Sequence, residues 1–229
     1  MFRTTGLMSL SLALFAAAVC AAADGKYSIK TTSAPAPMEL KESLRKVLAD
    51  LDVQLLDASG KPIADVWFRK DVPVKGAPDQ LKGGAAYKDL EETTLLGVIR
   101  FQQQVTDYRK QRVKPGLYTM RFALQPQDGD HMGTAPYSEF VLLTPADRDD
   151  NPGTLKDPKE LHEKSKRSTG TRHPGIFLLF PVEKPPDQPQ LQAKENDHWV
   201  LFAKEEAAAG GQKVPLGIGL TLIGHSSNE

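Results

Sequence analysis

Large apolar residues recur at every second position through much of this chain, which is the period of a half-buried strand. The clearest case begins after the Pro115-Gly116 turn signal, where Tyr118, Met120, Phe122 and Leu124 share one face. Pro126 then removes a backbone donor and Asp128-Gly129 favours a turn, so the strand stops there. The pattern resumes at residues 137–143 with Phe140-Val141-Leu142-Leu143, which predicts a hairpin. Alternation also predicts strands at 26–32, 51–56, 63–68, 95–105 and 214–223. In the last, Leu216, Ile218, Leu220 and Leu222 face one way. Gly217 and Gly219 face the other, as expected where a second backbone approaches closely. Ile176-Phe177-Leu178-Leu179-Phe180 is continuously apolar and reads as a buried strand. A further hairpin is expected about Glu195-Asn196-Asp197.

Helical spacing is rarer. Leu40, Leu44, Val47 and Leu48 predict a short amphipathic helix over 38–48, covering one end or edge of the sheets. Asp157-Pro158-Lys159-Glu160 is a helix start, with Asp157 as cap, Pro158 in the first turn and Glu160 reaching back; the helix should run to about Arg167. It lies within 144–174, a segment poor in large apolar residues that reads as a polar insertion over one end of the fold. Residues 72–87 read as irregular loop and 207–212 as a flexible link. Many short strands without a strand–helix–strand rhythm predict an all-β protein: an antiparallel β-sandwich with one or two short peripheral helices.

The N-terminus changes the compartment expected. Arg3, an apolar run from Leu7 to Val19, and Ala21-Ala22-Ala23 have the form of a signal peptide over 1–23, leaving 24–229 as one β-sandwich domain, exported to the periplasm or secreted. Cys20 opens a lipoprotein alternative, but Val19 is a poor residue before a lipidated cysteine. Cleavage after Ala23 removes the one cysteine, so no disulfide can support the fold. No apolar stretch reaches the length of a transmembrane helix. Lys and Arg number 29 and Asp and Glu 29, a balance that argues against nucleic acid and against anionic lipid.

Residues 52–124 carry an ordered set of signs: Val53-Gln54-Leu55-Leu56-Asp57, Gly60-Lys61-Pro62-Ile63, Val66, Thr93 and Thr94 ahead of Gly97-Val98-Ile99-Arg100-Phe101, then Val113-Lys114-Pro115-Gly116-Leu117-Tyr118. This stretch resembles the carboxypeptidase regulatory-like modules, which have a transthyretin-like β-sandwich. The resemblance implies an accessory, binding or spacing role without catalytic residues. It assigns no site residue, and the chain departs from the pattern in its long 72–95 segment and in the hundred or so residues that follow.

Two stretches offer chemistry. Asp128, Asp130, His131 and Met132 sit together at the expected hairpin tip; carboxylates suit calcium, and His with Met suits copper. The competing reading is a turn closed by Asp128-Gly129. Lys164, Arg167, Thr169, Arg172 and His173 belong to a basic, hydroxyl-rich loop that suits an anion, against the alternative of a solvated surface. No Gly-x-Ser-x-Gly elbow, glycine-rich phosphate loop or zinc signature is present. Ser226-Ser227 beside His225 falls at a terminus expected to fray, and Asp149-Asp150 and Glu205-Glu206 read as surface charge. Trp67, Trp199, Tyr118 and Tyr137 suit a sugar platform if exposed, although aromatics in such strands usually pack the core. The function expected is a non-enzymatic binding or interaction module for a glycan, a cell-envelope component or a partner protein, without cofactor. The alternative is a metal-binding protein using the 128–132 loop.

Overall fold

The structure, a computed structural model, describes residues 19–21, 25–129 and 134–226. Its strands are β1 (Val19–Ala21), β2 (Tyr27–Thr32), β3 (Leu48–Asp57), β4 (Pro62–Arg69), β5 (Val72–Pro73), β6 (Leu95–Phe101), β7 (Val105–Thr106), β8 (Arg112–Val113), β9 (Gly116–Leu124), β10 (Glu139–Pro145), β11 (Gly175–Phe180), β12 (Gln190–Lys194), β13 (His198–Ala209) and β14 (Gln212–Ile223). Two helices, α1 (Glu42–Arg45) and α2 (Pro158–Thr169), lie among them. Among the described residues no helix is long and apolar enough to cross a membrane. The leader expected at 1–23 lies outside the described residues, apart from the backbone of β1, which pairs antiparallel with β2.

The fold is all-β and almost wholly antiparallel. Hydrogen bonding runs β1-β2-β3-β4-β6-β9-β10-β11-β14-β13-β12 without a break. The two packed layers meet at β11. Its first residues pair with β10, Phe177 opposite Val141; its last pair with β14, Leu179 opposite Leu220. Strands that change sheets are how orthogonally packed layers form corners. Gly219 permits this corner, because a Cβ there would stand 2.7 Å from Phe180 O. The close backbone approach expected at Gly217 and Gly219 is present at Gly219 alone; at Gly217 it is side chains that crowd in, with Val182 2.5 Å from a Cβ there.

One core fills the space between the layers, with Ile29, Val53, Val66, Ile99, Met120, Phe122, Leu143, Phe177, Leu201 and Leu220 all buried in it. The expected inward set of β9 is correct for Tyr118, Met120 and Phe122, whereas Leu124 at the strand end is 44% exposed. The continuous apolar runs of β10 and β11 have a simple cause. Val141, Leu143, Phe177 and Leu179 face the core, while Phe140, Leu142, Ile176 and Leu178 face outward beneath a second cover. Trp67, Trp199 and Tyr118 are buried, and Tyr137 is half-buried against Phe180.

Several expectations are corrected. The amphipathic helix over 38–48 is a single turn, because Leu48 already enters β3 and Pro37 precedes the turn; Leu40, Leu44 and Leu48 nevertheless pack together on Trp67, Leu95 and Val98 outside the sheet. The strand expected over 95–105 ends at Phe101, and a bulge between Leu95 and Gly97 turns Leu95 outward, where it packs beside Val98; Gln102 and Gln104, beyond the strand, are exposed. Residues 72–87 are mostly loop, as expected, but carry short regular pieces. β5 joins β13 in parallel, two 3-10 turns follow, and Tyr87 enters the core, its hydroxyl donating to Phe180 O at 3.0 Å and accepting from Gly219 N at 2.8 Å. The 207–212 link is instead the end of β13 and the start of β14, joined by Gly210 and Gly211 at positive φ (53° and 84°), as a tight hairpin requires.

Candidate functional site

The 144–174 segment is where the outer cover and the candidate site are built. Asp149 is not surface charge but buried. Its carboxylate takes Arg121 Nε at 2.7 Å, Arg121 Nη2 at 2.9 Å and Thr119 Oγ1 at 2.6 Å. Arg121 spends its remaining donors on the carbonyls of Thr93, Gly153 and Asn151. Both side chains are closed to solvent, so desolvation is offset only by this full set of partners. The pairing holds the Asp149 carboxyl below its ordinary range despite burial. It fastens the chain after β10 to the outer face of β9, so the segment lies over a face of the sheet rather than over one end.

From there α2 starts as the sequence predicts. Asp157 Oδ1 accepts from Lys159 N at 2.9 Å and Pro158 fills the first turn, but Glu160 pairs with Lys164 at 2.8 Å instead of reaching back. The helix runs to Thr169 and closes on Gly170 at φ 68°. The basic stretch from Lys164 to His173 is therefore helix as far as Thr169, two residues beyond the end expected, and turn after it. Leu161 packs on Ala123, Leu142 and Leu155, and Ser165 Oγ bonds both Gly175 N (3.1 Å) and Gly175 O (3.3 Å) at the start of β11. Small inward residues let the C-terminal half of α2 sit low over β11.

Beside that half of the helix lies a cavity of about 460 Å³. Its floor is the outward side of the sheet: Ala123 and Leu124 of β9, Phe140 and Leu142 of β10, and Ile176 of β11. Tyr108, Arg109 and Ser226 also line it. Its rim carries His162 and Lys166 from α2, then Arg172 and His173 from the following turn.

A hydrogen-bonded knot holds this rim in place. Buried Asp107 accepts from Arg109 N (3.0 Å), Gln111 N (2.8 Å), Gln111 Nε2 (2.8 Å) and Ile176 N (3.1 Å). Burial pushes its carboxyl up from the ordinary range, against the pull of those donors. Gln111 in turn donates to Pro174 O at 2.9 Å and accepts from Thr171 Oγ1 at 2.5 Å. Thr169 Oγ1 stands 2.9 Å from His173 O. One knot thus sets both the 107–111 turn and the 170–174 turn, and with them Arg109, Arg172 and His173.

Of the five residues expected to bind an anion, Arg172 and His173 line the cavity and Thr169 braces their turn. Lys164 is paired with Glu160, and Arg167 is exposed and does not line the cavity. Arg109, His162, Lys166 and the apolar floor were not singled out. His162 and Lys166 are four apart on α2, a signal present in the sequence; nothing in the local pattern ties Arg109 to them. For the metal reading, Asp128 is exposed, and Asp130, His131 and Met132 lie outside the described residues. Among the described residues no three histidine, cysteine or carboxylate side chains converge to hold a metal. His173 and His225 are exposed, while His198 is buried between Tyr108 and Phe180. Ser226 is not frayed: its backbone N donates to Tyr108 O at 2.8 Å and the residue is buried.

Comparison with family models, curated proteins and solved structures found no match.

Proposed function

We propose that this protein is an exported, non-enzymatic binding module that takes its ligand in the cavity beside the C-terminal half of α2. The observation that carries the reading is the cavity itself: about 460 Å³, floored by apolar side chains of a rigid sheet and rimmed by polar groups. That is the size and make-up of small-molecule sites, which usually lie within about 300–1,000 Å³. Function carried by a connecting segment on a rigid scaffold is a common arrangement. The leader-like N-terminus supports an extracytoplasmic ligand drawn from the cell envelope. The resemblance of 52–124 to accessory β-sandwich modules supports binding rather than catalysis; in this fold those residues supply β4, β6 and β9, which are neighbours in the sheet.

An uncharged dye tests the cavity without presuming the ligand's charge. N-phenyl-1-naphthylamine should give a saturable fluorescence rise at one site per chain. Ile176→Trp, from the floor, and Ala135→Trp, at the edge of the cavity, should each weaken it at least tenfold while leaving the circular dichroism spectrum intact. Dye binding that never saturates, or that ignores both substitutions, removes the proposal.

A further inference from the structure

We infer that the ligand of this cavity is an amphipathic anion, an apolar body carrying one acidic head group; the inference rests on the cavity being the recognition site. Chain-wide, acidic and basic residues are equal at 29 each. The cavity lining departs sharply from that balance. It contains the permanent cations Arg109, Lys166 and Arg172 and the imidazoles of His162 and His173, and no Asp or Glu. Glu163 pairs with Lys166 at 2.5 Å, and even with that pair set aside the lining stays basic.

The C-terminal end of a helix ordinarily repels an anion through its bare carbonyls. Two carbonyls near this end of α2 have partners. Lys166 O accepts from Gly170 N at 3.0 Å, and Ser165 O accepts from Ser168 Oγ at 2.7 Å. The lining sets against that end the guanidinium groups of Arg109 and Arg172, whose planar donors match a carboxylate or phosphate. The floor supplies the other half of the argument. Leu124 is one of three large apolar side chains exposed among the described residues, at 44%, and it lines this cavity with Phe140 and Ile176. An inorganic anion leaves that surface wet, and a neutral hydrocarbon makes no use of the basic side of the lining. One molecule with both parts satisfies both.

The test displaces N-phenyl-1-naphthylamine with four probes: octanoate, octyl phosphate, 1-octanol and inorganic phosphate. At least one of the two acids should displace the dye ten times more tightly than 1-octanol, and inorganic phosphate should not displace it. Whichever acid is tighter separates a free fatty-acid-like ligand from a phosphate head group. Arg172→Glu and Lys166→Glu should each weaken the preferred acid at least tenfold and leave 1-octanol unchanged. 1-Octanol matching both acids, inorganic phosphate displacing the dye as well as they do, or acid affinity unmoved by both substitutions overturns the inference. If the dye still binds and still responds to Ile176→Trp, that failure belongs to the anion alone; if the dye does not bind, the cavity reading falls with it.

Discussion

Glu205 shows how little a residue's type says about its surroundings. In the sequence it belongs to an acidic pair and reads as solvated. In the fold it lies within β13, between Ala203 and Ala207 on the face that enters the core, opposite Leu216 of β14. Burial, with the neighbouring Glu206 charge, pushes its carboxyl up to about 8 from an ordinary 4.5. The folded chain therefore holds a proton that the unfolded chain has lost between those two values. Stability contributed by the protonated form is complete below about pH 4.5 and declines as pH rises toward 8. Glu205→Gln should remove that decline, gaining on the parent by a few kcal/mol at pH 8 and almost nothing at pH 4.5. Urea denaturation at the two pH values checks it, and equal gains at both refute it. Asp149 erred in the same direction, since only its contact with Arg121, 28 positions away, reveals it as buried.

Elements were more legible than residues. β9, β12 and the stretches of β13 and β14 outside 207–213 follow from alternation and turn chemistry, because each has a face in the core, and β10 follows from its apolar run. α2 follows from its cap. The failures share one cause: elements with a weak local pattern took their form from neighbours. β5 exists only because β13 lies beside it, and α1 shrank to a turn because Leu48 was drawn into pairing with β4. The corner at β11 depends on Gly219, whose role was visible only as a glycine in an apolar strand. Gly219→Ala should lower stability by about 1–3 kcal/mol or more, since the new methyl meets Phe180 O and the Phe202 ring rather than a mobile side chain. Gly83→Ala has open space around its Cβ and should stay within about 0.5 kcal/mol of the parent. Equal melting temperatures for the two variants contradict this account of the corner.

Across the whole molecule, the two tryptophans report on opposite sides of the sheet. Trp199 lies in the core between the layers, and Trp67 lies outside β4 under α1 and its flanking chain, with Nε1 donating to Ala34 O at 3.2 Å. Both should resist acrylamide in the native protein, giving a quenching slope several-fold below that in urea. A native slope as steep as the unfolded one shows that one of the two covers is missing. The candidate site is a product of this same scale. Arg109, His162, Arg172 and the β9–β11 floor come from four separate stretches, and only Arg172 and His173 stood out beforehand, by composition. Alternation and turn chemistry determined that this chain makes antiparallel sheets with a polar cover, because burying one face of a strand is a local, period-two demand. Which carboxylates are buried, where the sheet turns its corner, and which cations share one cavity were decided by tertiary structure alone. Those outcomes depend on distances between residues far apart in the chain, and no local pattern encodes them.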